Sequence, residues 1–272
     1  MSRNIKLLDG AAGTTLWALA EAKGIERAPV WIYNIEHPEL VTELHKRYIE
    51  AGCDFIQTNT FSVNAHSVSR SSSYTVKEVV DAAVKLAKKA AEGTDVKVYL
   101  SLGPLSILLE PYGKLSKAET HDIYTELVSA GAEAGADYVM LETFMDLEMM
   151  RIAAQAAKPF GLPIICSMTF EKRKRTMMGN SIQQIVDTLS PIGIDGIGMN
   201  CSCGPVQALE IIKDFHEKTD LPLYFKPNSG VGEAYDAKQF AQEVAPALDF
   251  VSFVGGCCGC DDSYIRELGK LL

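Results

Sequence analysis

Cysteine residues cluster late in the chain. Of the seven cysteines, Cys201 and Cys203 fall at the end of one short apolar run, and Cys257 and Cys258 fall at the end of another, with Cys260 beside them. Thiolate sulfur is a soft ligand that suits zinc and does not suit magnesium or calcium. Three such ligands leave one tetrahedral position open for a substrate, which is typical of a catalytic zinc site. The cysteines therefore indicate metal-assisted chemistry.

The vicinal pair Cys257–Cys258 imposes a local requirement on the backbone. Adjacent side chains of a strand point to opposite faces, so both sulfurs reach one metal only if the strand has already ended in a turn. Gly255, Gly256 and Gly259 provide the backbone freedom for such a turn. With Cys201 as the third sulfur, we predict Cys201, Cys257 and Cys258 as the metal ligands and catalytic residues.

The spacing of the cysteines leaves alternatives open. Cys257 and Cys258 are also consistent with an inert pair or a redox-active pair, and Cys203 or Cys260 is an alternative third ligand. Free cysteine is among the most buried residue types, and we expect Cys53 and Cys166 to be simple core residues.

Short apolar runs that alternate with amphipathic stretches must position these residues. Runs that are apolar throughout their centre are typical of parallel strands buried on both faces. Helical patterns fill the intervals and end at Gly52, Gly93, Gly135 and Pro159, as helix ends do. The predicted strands are 5–8, 55–58, 96–101, 138–142, 163–168, 196–200, 223–226 and 250–254.

Strict alternation of strand and helix predicts an α/β fold with a parallel sheet, either closed into a barrel or open and doubly wound. Eight units in 272 residues match a (β/α)8 TIM barrel, with residues 1–272 forming a single domain. The first strand is not followed by the glycine pattern of dinucleotide-binding open sheets, since the spacing of Gly10 and Gly13 does not fit. In a barrel, the residues that follow the strands lie at one rim, where active sites form.

Composition excludes several classes of partner. The formal net charge is −9 and the isoelectric point is about 5.1, which argue against nucleic acid or an anionic membrane surface as a partner. No apolar run approaches the length of about 18 residues that a membrane-spanning helix needs, and the first residues lack the pattern of a signal peptide. We therefore expect a cytoplasmic protein, where cysteines serve metals or catalysis more often than disulfides.

The strand-end motifs and their order resemble those of the homocysteine S-methyltransferase family. This family includes the homocysteine-binding domain of cobalamin-dependent methionine synthase and the betaine-homocysteine methyltransferases. The motifs run in family order over essentially the whole chain. They are Leu8-Asp-Gly-Ala-Ala-Gly-Thr14, His37-Pro-Glu-Leu-Val41, Ala51-Gly-Cys-Asp-Phe-Ile-Gln-Thr-Asn-Thr-Phe61, Glu142-Thr-Phe144, Ser167-Met-Thr-Phe170, Gly198-Met-Asn-Cys201, Lys226-Pro-Asn228 and Gly255-Gly-Cys-Cys-Gly259.

The resemblance implies that the zinc ion activates homocysteine as a zinc thiolate, which is then methylated to methionine. It assigns the three zinc ligands to Cys201, Cys257 and Cys258, and it implies that Asp9 and Glu142 bind the amino group of the substrate. Acidic side chains at a barrel mouth suit an ammonium group, although Asp9 is also consistent with a helix cap and Glu142 with a structural hydrogen bond.

The same resemblance assigns supporting roles to several further residues. Asn59 and Thr143 are expected to orient the substrate or to support the groups that bind it. Gly10, Gly13 and Gly103 are expected to let backbone N–H groups approach the substrate carboxylate, or else simply to form turns.

The methyl donor is a separate question, because only the thiol-activating barrel matches. The sequence of residues 110–114 resembles that of the cobalamin-linked branch of the family. We therefore predict that a separate methyl-corrinoid protein supplies the methyl group as methylcobalamin. The alternative is S-methylmethionine or another small donor. The chain departs from the family in the short loop 229–235 and in Cys260, both beside the predicted mouth. These departures affect donor and acceptor specificity more than the metal site.

Two other functional classes remain open. A barrel lyase or hydrolase that uses zinc as a Lewis acid needs a base near the metal, and Glu142 is the candidate. A non-catalytic zinc or thiol-redox protein would not bind thiol amino acids tightly. The five histidines are expected to be solvated rather than catalytic; they are His37, His45, His66, His121 and His216.

Overall fold

Eight parallel strands lie edge to edge in the computed structural model of the chain, which describes residues 5–171, 173–230 and 235–272. The order of the strands is β1-β8-β7-β6-β5-β4-β3-β2. A parallel bridge between Leu8 and Phe55 then joins β1 to β2 and closes the ring. The predicted (β/α)8 barrel is therefore confirmed. The strands are β1 Lys6–Leu7, β2 Phe55–Gln57, β3 Lys97–Leu102, β4 Tyr138–Phe144, β5 Ile164–Met168, β6 Gly196–Cys201, β7 Leu223–Pro227 and β8 Phe253–Val254.

Helices surround this ring, and the described residues form eleven of them. Gly52, Gly93 and Gly135 take positive φ angles just after helices, at the points where the sequence predicts helix ends. None of the helices in the described ranges is long and apolar enough to cross a membrane. The helices are α1 Ala12–Ala22, α2 Tyr33–Glu36, α3 Pro38–Glu50, α4 Ala65–Ser71, α5 Val76–Ala90, α6 Lys117–Glu133, α7 Leu147–Ala157, α8 Ile182–Leu189, α9 Pro205–His216, α10 Ala237–Val244 and α11 Asp262–Gly269.

Three strands differ in length from the prediction in a way that affects the rim. The predicted strand 250–254 is reduced to Phe253–Val254, because residues Ala245–Asp249 form a 3-10 helix and the backbone N–H of Phe250 still donates to Ala247 in that turn. In contrast, β4 and β6 extend to Phe144 and Cys201, beyond their predicted ends. The longer strands carry Thr143 and Cys201 to the barrel mouth.

The interior of the barrel changes from apolar to polar along the strands. A small cluster of buried side chains, among them Tyr99, Met140 and Tyr224, fills the lower part. Because side chains alternate across a strand, the residue two positions later points inward as well, one layer closer to the mouth. On five strands an inward apolar or aromatic residue is followed in this way by a buried polar one. The pairs are Phe55 and Gln57, Tyr99 and Ser101, Met140 and Glu142, Ile165 and Ser167, and Tyr224 and Lys226.

The other faces of the strands pack against the helices in a larger apolar core. On α3 the buried face contains Leu44 and Tyr48, as the sequence pattern predicts, but it also contains His45. The expectation that all the histidines are solvated is wrong for His45, which is 1% exposed. His45 follows Val41 by one helical turn, so it lies on the same face as these apolar residues.

Candidate metal centre and active site

Three cysteine sulfurs from two strand ends meet at the carboxyl rim of the barrel. The Sγ atoms of Cys201, Cys257 and Cys258 all lie within 4.8 Å of one another. Cys201 ends β6, whereas Cys257 and Cys258 follow β8. The structure thus brings together the three residues that the sequence predicts as metal ligands.

Backbone geometry at both strand ends turns the sulfurs toward each other. Cys201 has a φ of 56°, a left-handed conformation that non-glycine residues seldom adopt and that often marks functional sites. The N–H of Cys257 donates to the carbonyl of Pro227 (2.8 Å), and the carbonyl of Cys258 accepts from Ser229 (3.0 Å). The vicinal pair is therefore held by β7, the strand between β6 and β8. Gly259 completes the predicted turn with a φ of 83°.

The donor set fits a zinc ion. A Zn–S distance of about 2.3 Å in a tetrahedron places two sulfurs about 3.8 Å apart. The sulfurs of Cys201 and Cys258 are 3.8 Å apart. Hydrogen bonds from Cys201 and Cys257 lower the pKa of Cys258 well below that of a free thiol, which favours the thiolate form of this sulfur. Cys258 is exposed, which leaves the cluster open toward solvent.

Two neighbouring cysteines are not part of this cluster. Cys203 and Cys260 are both buried, and the sulfur of Cys260 faces the carbonyl of Pro227 at 4.0 Å. Burial raises the pKa of the Cys203 thiol to about 11, as expected for a core thiol. Among the described residues, the sulfurs close enough to share an ion are those of Cys201, Cys257 and Cys258.

Glu142 lies inside the barrel, close to the sulfur cluster. It is 3% exposed, its Oε1 accepts a hydrogen bond from Ser101 (2.6 Å), and its Oε2 faces Asn200 at 3.4 Å. Burial raises the pKa of Glu142, while Lys226 and the bond from Ser101 act in the opposite direction. A buried carboxylate with a weakly bonded oxygen is suited to bind a cationic group.

Asp9 follows β1 and is engaged by other side chains. Its Oδ1 accepts hydrogen bonds from Tyr99 (2.7 Å) and Lys226 (2.9 Å), and its Oδ2 accepts one from the N–H of Gln57 (2.6 Å). These bonds fix the carboxylate in the polar layer. A carboxylate has about four acceptor positions, so it can take one more donor.

Thr143 is held by Asn200 in an unusual backbone conformation. Its φ is 66°, which is costly for a β-branched residue. The side-chain oxygen of Asn200 accepts from the Thr143 N–H (2.8 Å), and its nitrogen donates to the Thr143 hydroxyl (2.7 Å). Asn200 of β6 thus contacts both Thr143 and the neighbouring Glu142.

For the other predicted site residues, contacts within the protein account for the residue type at each position. The side-chain nitrogen of Asn59 donates to Val30 (2.7 Å) and Asn34 (3.0 Å), which ties the segment after β2 to α2 and to the residues just before it. A Cβ at Gly10 would lie 2.2 Å from the carbonyl of Cys260, so only glycine fits there. The substrate-binding roles of Asn59 and Gly10 stay predictions.

Gly103 and Gly13 differ in the room around them. The N–H of Gly103 donates to Phe61 (2.9 Å), and a Cβ there would collide with that residue. Gly13 lies in the first turn of α1, and a Cβ there would meet nothing within 4 Å. Of the short loop 229–235, residues 231–234 lie outside the described part of the chain.

Two residues with clear roles in the polar layer were not assigned one from the sequence. Lys226 was recognised only as part of a strand-end motif, yet it is 1% exposed and forms an ion pair with Asp9. Asn200 was recognised only as the neighbour of Cys201. A charged residue at the end of an apolar strand is the sequence signal that could have identified Lys226 as a residue of the polar layer. No comparable signal pointed to Asn200, because asparagine is common in loops.

Comparison with known proteins places this site in context. The profile of the family described as "Homocysteine S-methyltransferase" matches residues 6–272. The methionine synthase of Mycobacterium tuberculosis (strain ATCC 25618 / H37Rv) is 28% identical over 98% of the chain, and that of Mycobacterium leprae (strain TN) is 29% identical over 98%. The chain spans only 24% of the length of each of these relatives.

Solved structures share the fold over nearly the full length. The metallated form of the homocysteine methyltransferase MmuM from Escherichia coli superposes with a TM-score of 0.83, at 24% identity, over 99% of this chain and 96% of that one. Its apo form gives 0.80, at 24% identity, over 100% and 97% of the two chains. At this level of identity the likeness establishes the barrel fold.

Proposed function

The chain belongs to the homocysteine S-methyltransferase family, and we propose that it transfers a methyl group to the sulfur of homocysteine to form methionine. The observation that carries the proposal is the cluster of Cys201, Cys257 and Cys258, with sulfurs within 4.8 Å of one another, beside the buried carboxylate of Glu142. One site thus offers ligands for a thiol-activating metal and a partner for an amino group.

A zinc ion on the three cysteines would supply the positive charge that keeps a substrate thiol deprotonated at neutral pH. A free thiol has a pKa of about 8.5, so only a few per cent of it is thiolate at pH 7. The protein must therefore favour the thiolate by about 1.5 pK units, or roughly 2 kcal/mol. No further base is needed among the side chains.

The polar layer of the barrel is suited to hold the other end of the substrate. Glu142 is the primary partner of the ammonium group, because Asp9 is already paired with Lys226. Asp9 then contributes through its remaining acceptor position. The carboxylate of the substrate would lie toward the first turn of α1, where Ala11 provides no side-chain cap and Gly13 leaves open space. Thr143 and Asn59 would support these contacts.

Methyl transfer then follows as a displacement at carbon. The substrate sulfur forms a bond to the methyl carbon as the bond between that carbon and the donor breaks. The donor keeps the electron pair of the broken bond, and the thiol proton has already passed to solvent. Binding at both ends of the substrate orients the sulfur for this step, which is a large part of the rate gain in such reactions.

We further propose that a separate methyl-corrinoid protein supplies the methyl group. Loops that follow β2 to β5 carry large apolar side chains exposed at the mouth, and exposed apolar patches commonly bind another protein or a ligand. S-methylmethionine or another small donor is the alternative. The exposed side chains are Phe61, Leu108, Tyr112, Met145, Met177 and Met178.

The cytoplasm is the compartment that we propose for this reaction. All seven cysteines are free, and three of them must stay reduced to bind a metal. Reducing compartments maintain that state.

The test combines zinc content, calorimetry and a methyl-transfer assay on the purified protein. Zinc-loaded protein should bind homocysteine, and protein stripped of zinc should not. Each donor is then offered alone, as methyl-corrinoid protein or as S-methylmethionine, and methionine is measured. Binding of homocysteine without product from either donor would point to another zinc-dependent barrel enzyme. No binding at all would leave a non-catalytic zinc or redox protein.

A further inference from the structure

We propose that Asn200 is a positioning residue that fixes the ammonium-binding carboxylate of Glu142 relative to the metal-binding sulfur of Cys257. The inference deepens the proposed function and rests on it. In this proposal Asn200 would bind neither the metal nor the reacting sulfur; it acts through its neighbours.

The side chain of Asn200 is fully buried at the next-to-last position of β6. A carboxamide offers two acceptor positions and two N–H donors. Its oxygen accepts from the Thr143 N–H (2.8 Å) and from the Ser167 hydroxyl (2.7 Å). Both acceptor positions are therefore occupied by protein groups.

The nitrogen of Asn200 faces three acceptors at increasing distance. It donates to the Thr143 hydroxyl at 2.7 Å, lies 3.4 Å from Glu142 Oε2, and lies 3.8 Å from the sulfur of Cys257. One side chain thus contacts both the residue that we expect to bind ammonium and one of the three sulfurs. Glu142 belongs to β4 and Cys257 to the turn after β8, and among the described residues Asn200 is the side chain that hydrogen-bonds to both.

The conformation of Thr143 explains why such a link is needed. Its positive φ coincides with an irregularity in the pairing of β4 with β5, between Leu141 and Phe144. A β-branched residue does not keep this conformation without support from its surroundings. Asn200 binds both the main chain and the hydroxyl of Thr143, and so it also fixes the direction of Glu142, the preceding residue.

The affinity for homocysteine should depend on this geometry. Its ammonium nitrogen and its sulfur are joined by only three carbon atoms, so the two binding points must stand at a set separation for both to be used at once. 4-Sulfanylbutanoic acid has the same sulfur and carboxylate but no ammonium group. Loss of the positioning residue should therefore weaken homocysteine and leave the analogue nearly unaffected.

The experiment measures binding of both ligands to zinc-loaded protein by calorimetry. For Asn200→Ala we expect one zinc ion per chain, homocysteine binding weakened by about 30-fold, and the affinity for 4-sulfanylbutanoic acid changed by less than about threefold, a difference within reach of one lost polar contact. In a Glu142→Gln background the same change should cost homocysteine binding less than about threefold, because the carboxylate being positioned is gone. Gln183→Ala, which removes an exposed amide on α8, is the matched control.

Ser167→Ala keeps the inference testable if Asn200→Ala does not fold. Within the described part of the chain, the Ser167 hydroxyl hydrogen-bonds to Asn200 alone (2.7 Å), so an effect of this variant that is selective for homocysteine must pass through Asn200. We expect homocysteine binding to weaken by about threefold to fivefold, with the analogue unchanged.

Three results would overturn the assignment. They are equal weakening of both ligands, unchanged binding of homocysteine, and loss of zinc from Asn200→Ala, which would mean that Asn200 acts on the metal alone. If the wild-type protein itself binds no homocysteine, the proposed function fails together with this inference. If the wild type binds it and the variants bind it equally well, only the positioning role fails.

Discussion

Lys226 Nζ lies 2.9 Å from Asp9 Oδ1, and both side chains are buried in the barrel. The hydroxyl of Tyr99 completes a triangle, at 2.9 Å from Lys226 and 2.7 Å from Asp9. Burial disfavours the charged amine, but the carboxylates of Asp9 and Glu142 outweigh it and raise the pKa of Lys226 above its usual value. With two carboxylates and one ammonium, the polar layer carries a formal charge of −1, which one substrate ammonium neutralises.

This pairing predicts that Lys226→Met is strongly destabilising. The substitution leaves the buried carboxylate of Asp9 without its counter-charge, and removal of one partner of a buried ion pair typically costs about 3–5 kcal/mol. The free energy of unfolding in urea is the measurement. The double variant Asp9→Asn with Lys226→Met should recover a large part of the loss, since position 9 then carries no charge that needs a partner, while Glu142 keeps its hydrogen bond from Ser101.

A matched control for that experiment is Lys77→Met. Lys77 forms an exposed ion pair with Glu133, and such pairs contribute little because water screens them. Its unfolding midpoint should equal that of the wild type. An equally small effect for Lys226→Met would contradict the role of the buried pair as the stabilising contact of the polar layer.

Zinc content should depend on each of the three clustered cysteines. Cys201→Ala or Cys258→Ala leaves two sulfurs, too few for a tight site, so we expect the loss of bound zinc and of methyl transfer to background levels. Metal analysis after dialysis and the transfer assay are the measurements. Cys203→Ala, a buried cysteine outside the cluster, should keep one zinc ion per chain. Full activity in a zinc-free variant would refute the thiol-activation mechanism.

The buried imidazole of His45 predicts a loss of stability in mild acid. Neither ring nitrogen has a hydrogen-bond partner among the described residues, and burial lowers the pKa of His45 to about 4. The unfolded chain has the ordinary pKa of about 6.5. Because the unfolded state takes up the proton first, stability is intact above about pH 6.5 and falls by about 1.4 kcal/mol per pH unit between about pH 6.5 and 4.

Urea unfolding at pH 7 and pH 5 measures this effect. The wild type should lose about 2 kcal/mol between these values from His45 alone, and His45→Leu should remove that part of the dependence. His121→Gln, at an exposed position of α6, should leave the dependence unchanged. The same pH dependence in His45→Leu as in the wild type would show that other groups cause it.

The barrel and the three sulfurs could be predicted from the sequence because they depend on local patterns. Apolar runs of strand length alternate regularly with helical patterns, and Cys201, Cys257 and Cys258 directly follow two of those runs. The closure of a barrel then brings the strand ends to one rim without further information. Even His45 was accessible to this kind of reasoning, because its spacing from Val41 places it on the buried face of α3.

The polar layer could not be predicted in the same way, because its contacts join residues that are distant in the chain. The pair Asp9–Lys226 spans 217 positions, and the contact of Asn200 with Thr143 spans 57. Each depends on strand register and on side-chain direction inside the closed barrel, and neither leaves a trace in local periodicity. The left-handed conformation of Thr143 is likewise set by a partner on another strand.

The exposed apolar rim predicts different behaviour toward a protein donor and a small donor. Leu108 and Tyr112 are 50% and 75% exposed in the loop after β3, so a docking protein would bury them, whereas a small molecule would reach the sulfurs without doing so. Leu108→Ser with Tyr112→Ser should reduce kcat/KM for a methyl-corrinoid protein by about tenfold or more, the usual cost of losing large apolar contacts at an interface. The value for S-methylmethionine should stay within about twofold.

Leu271→Ser, an exposed apolar position after α11 at the opposite end of the barrel, is the control and should affect neither donor. Equal losses with both donors would place the defect in the barrel mouth itself, and no loss with the corrinoid protein would remove the rim as its docking surface.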